Sequence, residues 1–105
     1  MTDNKDYPRW IKEAHDDWNS KDGAARLLED TKSLLFSQKC TALGDIPVNR
    51  AEQNVKASKD WYDHVITIVE AKTEANRAWA EYEYRKNQYD MWKNEEANHR
   101  AEARL

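Results

Sequence analysis

The chain has few of the residues that interrupt helices or cross-link small folds. Its 105 residues include two Gly, two Pro and one Cys. So few glycines and prolines exclude collagen and argue against a β-protein built from many turns. The single cysteine, Cys40, cannot close a disulfide within the chain or build a zinc site alone. We therefore expect neither a disulfide-rich scaffold nor a turn-dense β-fold.

Long apolar runs are also lacking. The longest is the Val-Ile-Thr-Ile-Val stretch at residues 65–69, whereas a membrane-spanning helix needs about 20 apolar residues. The first six residues do not contain the apolar segment of a secretion signal. The sequence predicts no association with a membrane and a cytoplasmic location.

An excess of one charge is absent too. The chain has 17 basic and 20 acidic residues and a net charge of -3, so it offers no general attraction for nucleic acid. Hydrophobic residues make up 39% and charged residues 35%, which is too polar for a large spherical core. Five Trp and five Tyr are nevertheless too many for a disordered chain. We predict an elongated, all-α protein.

Helical spacing predicts two helices before Gly44. The first spans residues 7–19 and is interrupted by the polar stretch 19–23. The second spans residues 22–43, with Asp22 as its N-cap, and ends at Gly44 because glycine permits a left-handed C-terminal turn.

One long helix is predicted after Pro47. Residues 50–105 contain no Gly or Pro and are rich in good helix formers, and Asn49 is a suitable cap. At about 1.5 Å per residue this helix would extend about 84 Å, well beyond the roughly 33 Å diameter of a compact domain of this length. A strand at residues 65–69 is the weaker interpretation, because no other segment would pair with it.

These elements predict a single domain over residues 1–105. A helical core would occupy residues 7–70, with a hairpin of 22–43 against 49–70 and the short N-terminal helix beside it. Residues 71–105 would project as a helical arm that the earlier helices are too short to cover. The residues predicted to form the core are Leu27, Leu28, Leu34, Leu35, Phe36, Trp61, Tyr62, Val65, Ile66, Ile68 and Val69.

The arm carries a narrow stripe whose members recur at alternating steps of three and four, as in a coiled-coil seam. An apolar stripe without a partner in the chain predicts self-association, giving a homo-oligomer, or binding of a larger protein. Two alternatives stay open: the first helix folds back along the stripe, or the long helix breaks near Asn76 or Asn87 and forms a monomeric bundle. The predicted contact residues are Ala71, Ala75, Ala78, Tyr82, Arg85, Tyr89 and Trp92.

Aromatic and basic residues also cluster in the arm. Exposed aromatic rings stack on unpaired bases while Arg and Lys follow the phosphates, a combination that suits single-stranded nucleic acid. Glu81, Glu83 and Asp90 lie among them and would repel phosphate, so packing is the favoured interpretation. The candidate nucleic-acid contacts are Trp79, Tyr84, Arg85, Lys86 and Lys93.

Metal-binding spacing occurs twice. Asp60 and His64 are four residues apart, and Glu96 and His99 match the Glu-x-x-His spacing of di-iron bundles. A di-iron site needs two such motifs and further glutamates, which the chain does not supply. We predict no metal, no cofactor and no enzymatic activity, with a small di-metal enzyme as a remote alternative.

The C-terminal stretch contains residues 80–92, AEYEYRKNQYDMW, followed by Glu-Glu-Ala at 95–97 and by residues 100–105. These segments resemble the endings of small helical proteins from tailed phages and prophages. It covers the last third of the chain and transfers no site. The resemblance implies an accessory role in the host cytoplasm, in replication, recombination or host takeover.

These observations together predict a non-enzymatic interaction protein. It would self-associate and would scaffold or modulate a larger protein partner. An accessory factor that binds single-stranded nucleic acid is the alternative.

Overall fold

The computed structural model describes residues 6–104, which form four helices and no strand. The prediction of an all-α hairpin with a long C-terminal helix is confirmed, and residues 65–69 are helical. The helices are α1 (Tyr7–Asp30), α2 (Lys32–Ala42), α3 (Val48–Lys56) and α4 (Lys59–Ala103).

The helices form a rod in which α1 runs antiparallel to α4. Tyr7 at the start of α1 stacks on Trp92, and Glu29 near its end pairs with Lys72 at 3.1 Å. The rod measures 83 × 18 × 17 Å, and its radius of gyration is 23.3 Å. A compact domain of this length would have a radius of gyration of about 13 Å. The molecule is therefore extended and only about two helices thick.

The hydrophobic core is a narrow seam instead of the broad surface predicted. Of the predicted core residues in α4, only Trp61 and Ile68 are buried, while Tyr62, Ile66 and Val69 are exposed. Because the rod is about two helices thick, each stretch of a helix faces a neighbour on one side, so only a narrow stripe of its surface can be covered. The buried apolar residues are Ala14, Ala25, Ala51, Val55, Trp61, Ile68, Ala75 and Ala78.

The first helix is longer than predicted, because α1 continues through residues 19–23. Gly23 lowers helix propensity by about 1 kcal/mol relative to Ala. Packing of Trp18 and Ala25 against α4, on either side of that glycine, offsets this cost. Asp22 lies inside α1 and pairs with Arg26 at 2.8 Å, so its prediction as an N-cap is wrong.

The break that was predicted near residue 20 lies at Thr31. The Thr31 hydroxyl donates a hydrogen bond to the Leu27 carbonyl oxygen at 2.7 Å, and α2 begins at the next residue. After α2 ends, Gly44 has a φ of 89°, the left-handed conformation expected at this position.

The prediction of one continuous helix over residues 50–105 is wrong, because α3 ends at Lys56 and α4 begins at Lys59. The Ser58 hydroxyl donates to the Val55 carbonyl at 2.7 Å and accepts from the Trp61 backbone N–H at 3.2 Å. Ser58 therefore caps α4, because its oxygen satisfies a backbone donor in the first turn of that helix. From Lys59 onward α4 is unbroken, including at residues 76 and 87.

The beginning of α3 also differs from the prediction. Pro47 occupies the cap position, without a side-chain hydrogen bond to the helix, and Asn49 lies inside α3. Two buried residues of α3, Ala51 and Val55, lie on one face of the helix, which packs against α2.

The arm does not begin at residue 71 as predicted. Because α1 extends to Asp30, it lies against α4 from Lys72 to Trp92. Of the alternatives left open by the sequence, the folding back of the first helix is the one observed. The part of α4 that extends beyond Tyr7 is residues 93–103, all of which are exposed.

Candidate interaction surfaces

The predicted contact residues of α4 share one face, and that face is occupied by α1. Ala75 and Ala78 are buried and Ala71 is half-buried. Tyr82 stacks on Trp18 with ring centroids 5.9 Å apart and planes inclined by 5°. The shared face predicted from spacing is therefore present, but its neighbour belongs to the same chain.

Arg85 connects the two long helices. Its guanidinium donates to the Trp10 carbonyl oxygen at 2.6 Å and pairs with Glu81 at 3.0 Å. The same group lies 5.0 Å from the centroid of the Trp10 ring, a cation–π contact. The Arg85 side chain is only 20% exposed, so it is engaged within the hairpin.

Aromatic side chains join the beginning of α1 to α4. Tyr7 lies 5.3 Å from Tyr89 and 5.5 Å from Trp92, measured between ring centroids. Trp10 meets Tyr84 edge-on at 6.3 Å. Aromatic pairs at these distances contribute about 0.5–1.5 kcal/mol each beyond the burial of their area. The seam residues Tyr89 and Trp92 thus hold the start of α1 in place.

The cations among the candidate nucleic-acid contacts are already engaged within the chain. Lys86 lies 3.5 Å from Glu83 and 5.1 Å from the Tyr82 ring centroid. Lys93 lies 3.5 Å from Asp90 and 4.7 Å from the Tyr89 ring centroid. Two aromatic candidates remain exposed, Trp79 at 47% and Tyr84 at 53%.

The residues with metal-like spacing do not converge. Glu96 and His99 lie on the exposed end of α4. Within residues 6–104, no group of three or more His, Cys, Asp or Glu side chains is placed to hold a metal ion. The Nε2 atom of half-buried His64 has no hydrogen-bond partner among the described residues, and the ring lies 5.5 Å from that of Trp61.

The outer face of α1 carries ion pairs between residues four apart. Lys12 donates to Asp16 at 2.6 Å, and this hydrogen bond holds the pKa of the Asp16 carboxyl below its usual value. Lys21 pairs with Asp17 at 3.1 Å. Because these pairs are exposed, water screens them and each contributes little to stability. This face is an ordinary solvated helix surface.

A shallow groove lies between α2 and α3. It has a volume of about 420 Å³ and is lined in part by Phe36, Cys40, Ile46 and Val48. Cys40 is half-buried there. The groove is open to solvent and contains one carboxylate, Glu52.

An outward apolar stripe on α4 consists of three residues that were predicted to belong to the core. Tyr62 is 64% exposed, Ile66 36% and Val69 52%. They point away from the face that carries Trp61 and Ile68. The available signal was the number of apolar positions between residues 61 and 69, which is too many for the single stripe that one neighbouring helix can cover.

None of the four helices combines the length and the apolar character needed to cross a membrane. The chain matches no protein-family model, no curated protein and no solved structure.

Proposed function

We propose that this protein is a helical interaction protein that performs no chemistry of its own and scaffolds or modulates a larger protein partner. The observation that carries the proposal is the exposure of large apolar side chains on the outside of the hairpin. Leu27 at 65%, Leu34 at 59% and Tyr62 at 64% are examples on three different helices. On α4, Tyr62, Ile66 and Val69 are exposed and share one face. A continuous exposed apolar stripe of this kind is typical of protein-binding sites.

Site-specific photocrosslinking in the producing cells tests this proposal. A photoreactive amino acid at Leu34 or Val69 is expected to give discrete covalent adducts, because these side chains would contact the partner. The same group at Glu13, an exposed polar position on α1, is the matched control and is expected to give none. An absence of adducts from every apolar position would contradict the proposal.

We also propose self-association, but not through the pairing of two exposed arms. The seam of α4 is occupied by α1, so two copies could use it only by exchanging α1, after which the same contacts would form between chains. Sedimentation velocity over a wide concentration range measures this association. We expect a dimer whose population rises with concentration. A monomer at every concentration would remove self-association while leaving the larger partner untouched.

Binding of single-stranded nucleic acid is the second candidate, supported by the exposure of Trp79 and Tyr84. It ranks second because Arg85, Lys86 and Lys93 each already face a carboxylate of the same helix. Tryptophan fluorescence titrated with a single-stranded oligonucleotide tests it: binding would quench the signal at low salt and be lost as salt rises. The loss of that quenching in Trp79→Ala would identify the stacking residue.

We further propose that the protein has an accessory function of a phage in the host cytoplasm. This proposal is supported by the resemblance of residues 80–92 to phage proteins. The genes that flank this one test the setting. Neighbours that encode phage replication, recombination or virion proteins are expected, and a location among genes of host metabolism would contradict it.

A further inference from the structure

We propose that the outward stripe of α4, formed by Tyr62, Ile66 and Val69, docks an amphipathic helix of the partner protein that carries Lys or Arg beside its own apolar stripe. This inference rests on the proposed function and specifies the chemistry of the partner. It follows from the geometry of the stripe and from the charges that flank it.

The stripe has the spacing that one helix presents to another. Its members are separated by four and three residues, so they lie on one face of α4. Each is at least 36% exposed, and the face that packs within the hairpin, which carries Trp61 and Ile68, lies about 100° away around the helix. A second helix could therefore lie along the stripe without displacing any contact of the hairpin. Docking of an amphipathic helix onto such anchors is a common mode of recognition.

The charges beside the stripe are mainly negative. Asp63 lies three residues before Ile66 and Glu70 four residues after it, so both carboxylates are its neighbours on the helix surface. Both are exposed, and neither joins an ion pair in the described part of the chain. Lys59 lies beside the beginning of the stripe and is likewise unpaired there, whereas Lys72, beside its end, is engaged by a carboxylate of α1 at 3.1 Å. The unpaired charges beside the stripe are therefore two carboxylates and one ammonium group.

The same charges argue against a second copy of this chain on the stripe. In an antiparallel pair of α4 helices centred on Ile66, Asp63 of one copy lies beside Glu70 of the other, and the contact occurs twice. Such juxtaposed like charges disfavour the pairing. A helix with Lys or Arg in those places gains the corresponding attraction, which is why the partner we infer is basic.

Fluorescence anisotropy with two designed peptides tests the inference. Both peptides are amphipathic helices with the same leucine stripe; one has lysines beside it and the other has glutamates in their place. We expect the protein to bind the lysine peptide, and to bind it less tightly as salt increases. The glutamate peptide should bind roughly tenfold more weakly or not at all.

Substitutions in and beside the stripe test whether it is the site that prefers the lysine peptide. Asp63→Lys with Glu70→Lys should reverse the preference, so that the glutamate peptide binds more tightly. The matched control, Glu95→Lys with Glu96→Lys, changes the net charge equally on the exposed end of α4 and should leave the preference unchanged. Ile66→Ser should abolish binding while circular dichroism shows that the helices are retained.

Equal binding of the two peptides, or an equal reversal by the control variant, would overturn the inference. So would a dimer of the natural protein that Ile66→Ser dissolves, because the occupant would then be a second copy. If the photocrosslinks from Leu34 persist while neither peptide binds, the inference fails and the proposed function stands. If the crosslinks are also absent, both fail.

Discussion

Small side chains set the distance between α1 and α4. Ala25 on α1 and Ala75 on α4 line the same stretch of the hairpin, and both are 4% exposed. Ala14 and Ala78 are buried in the same seam. A methyl group at these positions lets the two backbones approach closely, which the larger aromatic residues elsewhere in the seam do not.

Ala75→Leu is therefore expected to lower the free energy of unfolding by about 1–3 kcal/mol, because the larger side chain must push the helices apart. Urea denaturation followed by circular dichroism measures the change. Ala80→Leu is the control, since Ala80 lies on the exposed face of the same helix; its effect should stay within about 0.5 kcal/mol. Equal effects of the two substitutions would contradict the buried position of Ala75.

The side chain of His64 is a second place in the hairpin where one substitution should change the free energy of unfolding. Its Nε2 atom is buried without a hydrogen bond in the described part of the chain, and its ring packs on Trp61. His64→Phe keeps an aromatic ring while removing the unsatisfied polar atom. We expect the free energy of unfolding to rise by about 1 kcal/mol.

His99→Phe is the matched control for this change, because His99 is exposed near the end of α4. It should alter the free energy of unfolding by less than about 0.5 kcal/mol. A loss of stability in His64→Phe, measured in the same denaturation experiment, would mean that the His64 nitrogen makes a favourable interaction.

At the scale of the elements, the two glycines have opposite roles. Gly23 lies inside α1 in a helical conformation, whereas Gly44 follows α2 with a φ of 89°. Apart from the adjoining backbone, a Cβ atom added at either position meets no atom within 4 Å. Only the backbone conformation therefore distinguishes the two sites.

Gly23→Ala should raise the free energy of unfolding by about 0.5–1 kcal/mol, because alanine loses less backbone freedom when the helix forms. Gly44→Ala should lower it by about 1 kcal/mol, since a residue with a Cβ is strained at a positive φ. Thermal denaturation of both variants measures these two changes in stability, and each variant serves as the control for the other. A shift in the same direction for both would contradict these conformations.

At the scale of the whole molecule, α1 and α4 depend on each other. Neither helix has another long neighbour in the described structure, and Ala14, Ala25, Ala75 and Ala78 are buried in the seam between them. The exposed end of α4, residues 93–103, takes no part in that interface. Stability should therefore depend strongly on where the chain is shortened.

A chain that ends at residue 93 should retain a cooperative urea transition, with the free energy of unfolding changed by less than about 1 kcal/mol. A chain that ends at residue 70 should lose the transition, because α1 then has no helix to cover its apolar face. Circular dichroism of both chains distinguishes the outcomes. Cooperative unfolding of the shorter chain at full-length stability would show that α4 is not what holds α1.

Local sequence was enough to specify the helical class and several ends of helices. The scarcity of Gly and Pro indicates helices, Gly44 marks the end of one, and the spacing from Ala71 to Trp92 places those residues on one face. All three signals come from residues that are close together along the chain. The end of α1 was harder, because Gly23 weakens a helix locally while distant contacts of Trp18 and Ala25 hold it together. Ser58 was readable as a cap, but the good helix formers around it obscured the signal.

Only the tertiary structure decided which apolar residues are interior and what covers them. A stripe such as Ala75, Tyr82 and Trp92 demands a neighbour, but its spacing is the same whether that neighbour is a second copy or the chain's own first helix. Likewise, Trp61 and Tyr62 are both large and aromatic, yet one is buried and the other exposed. The hairpin arrangement selects between them, because it gives each helix a single face to bury.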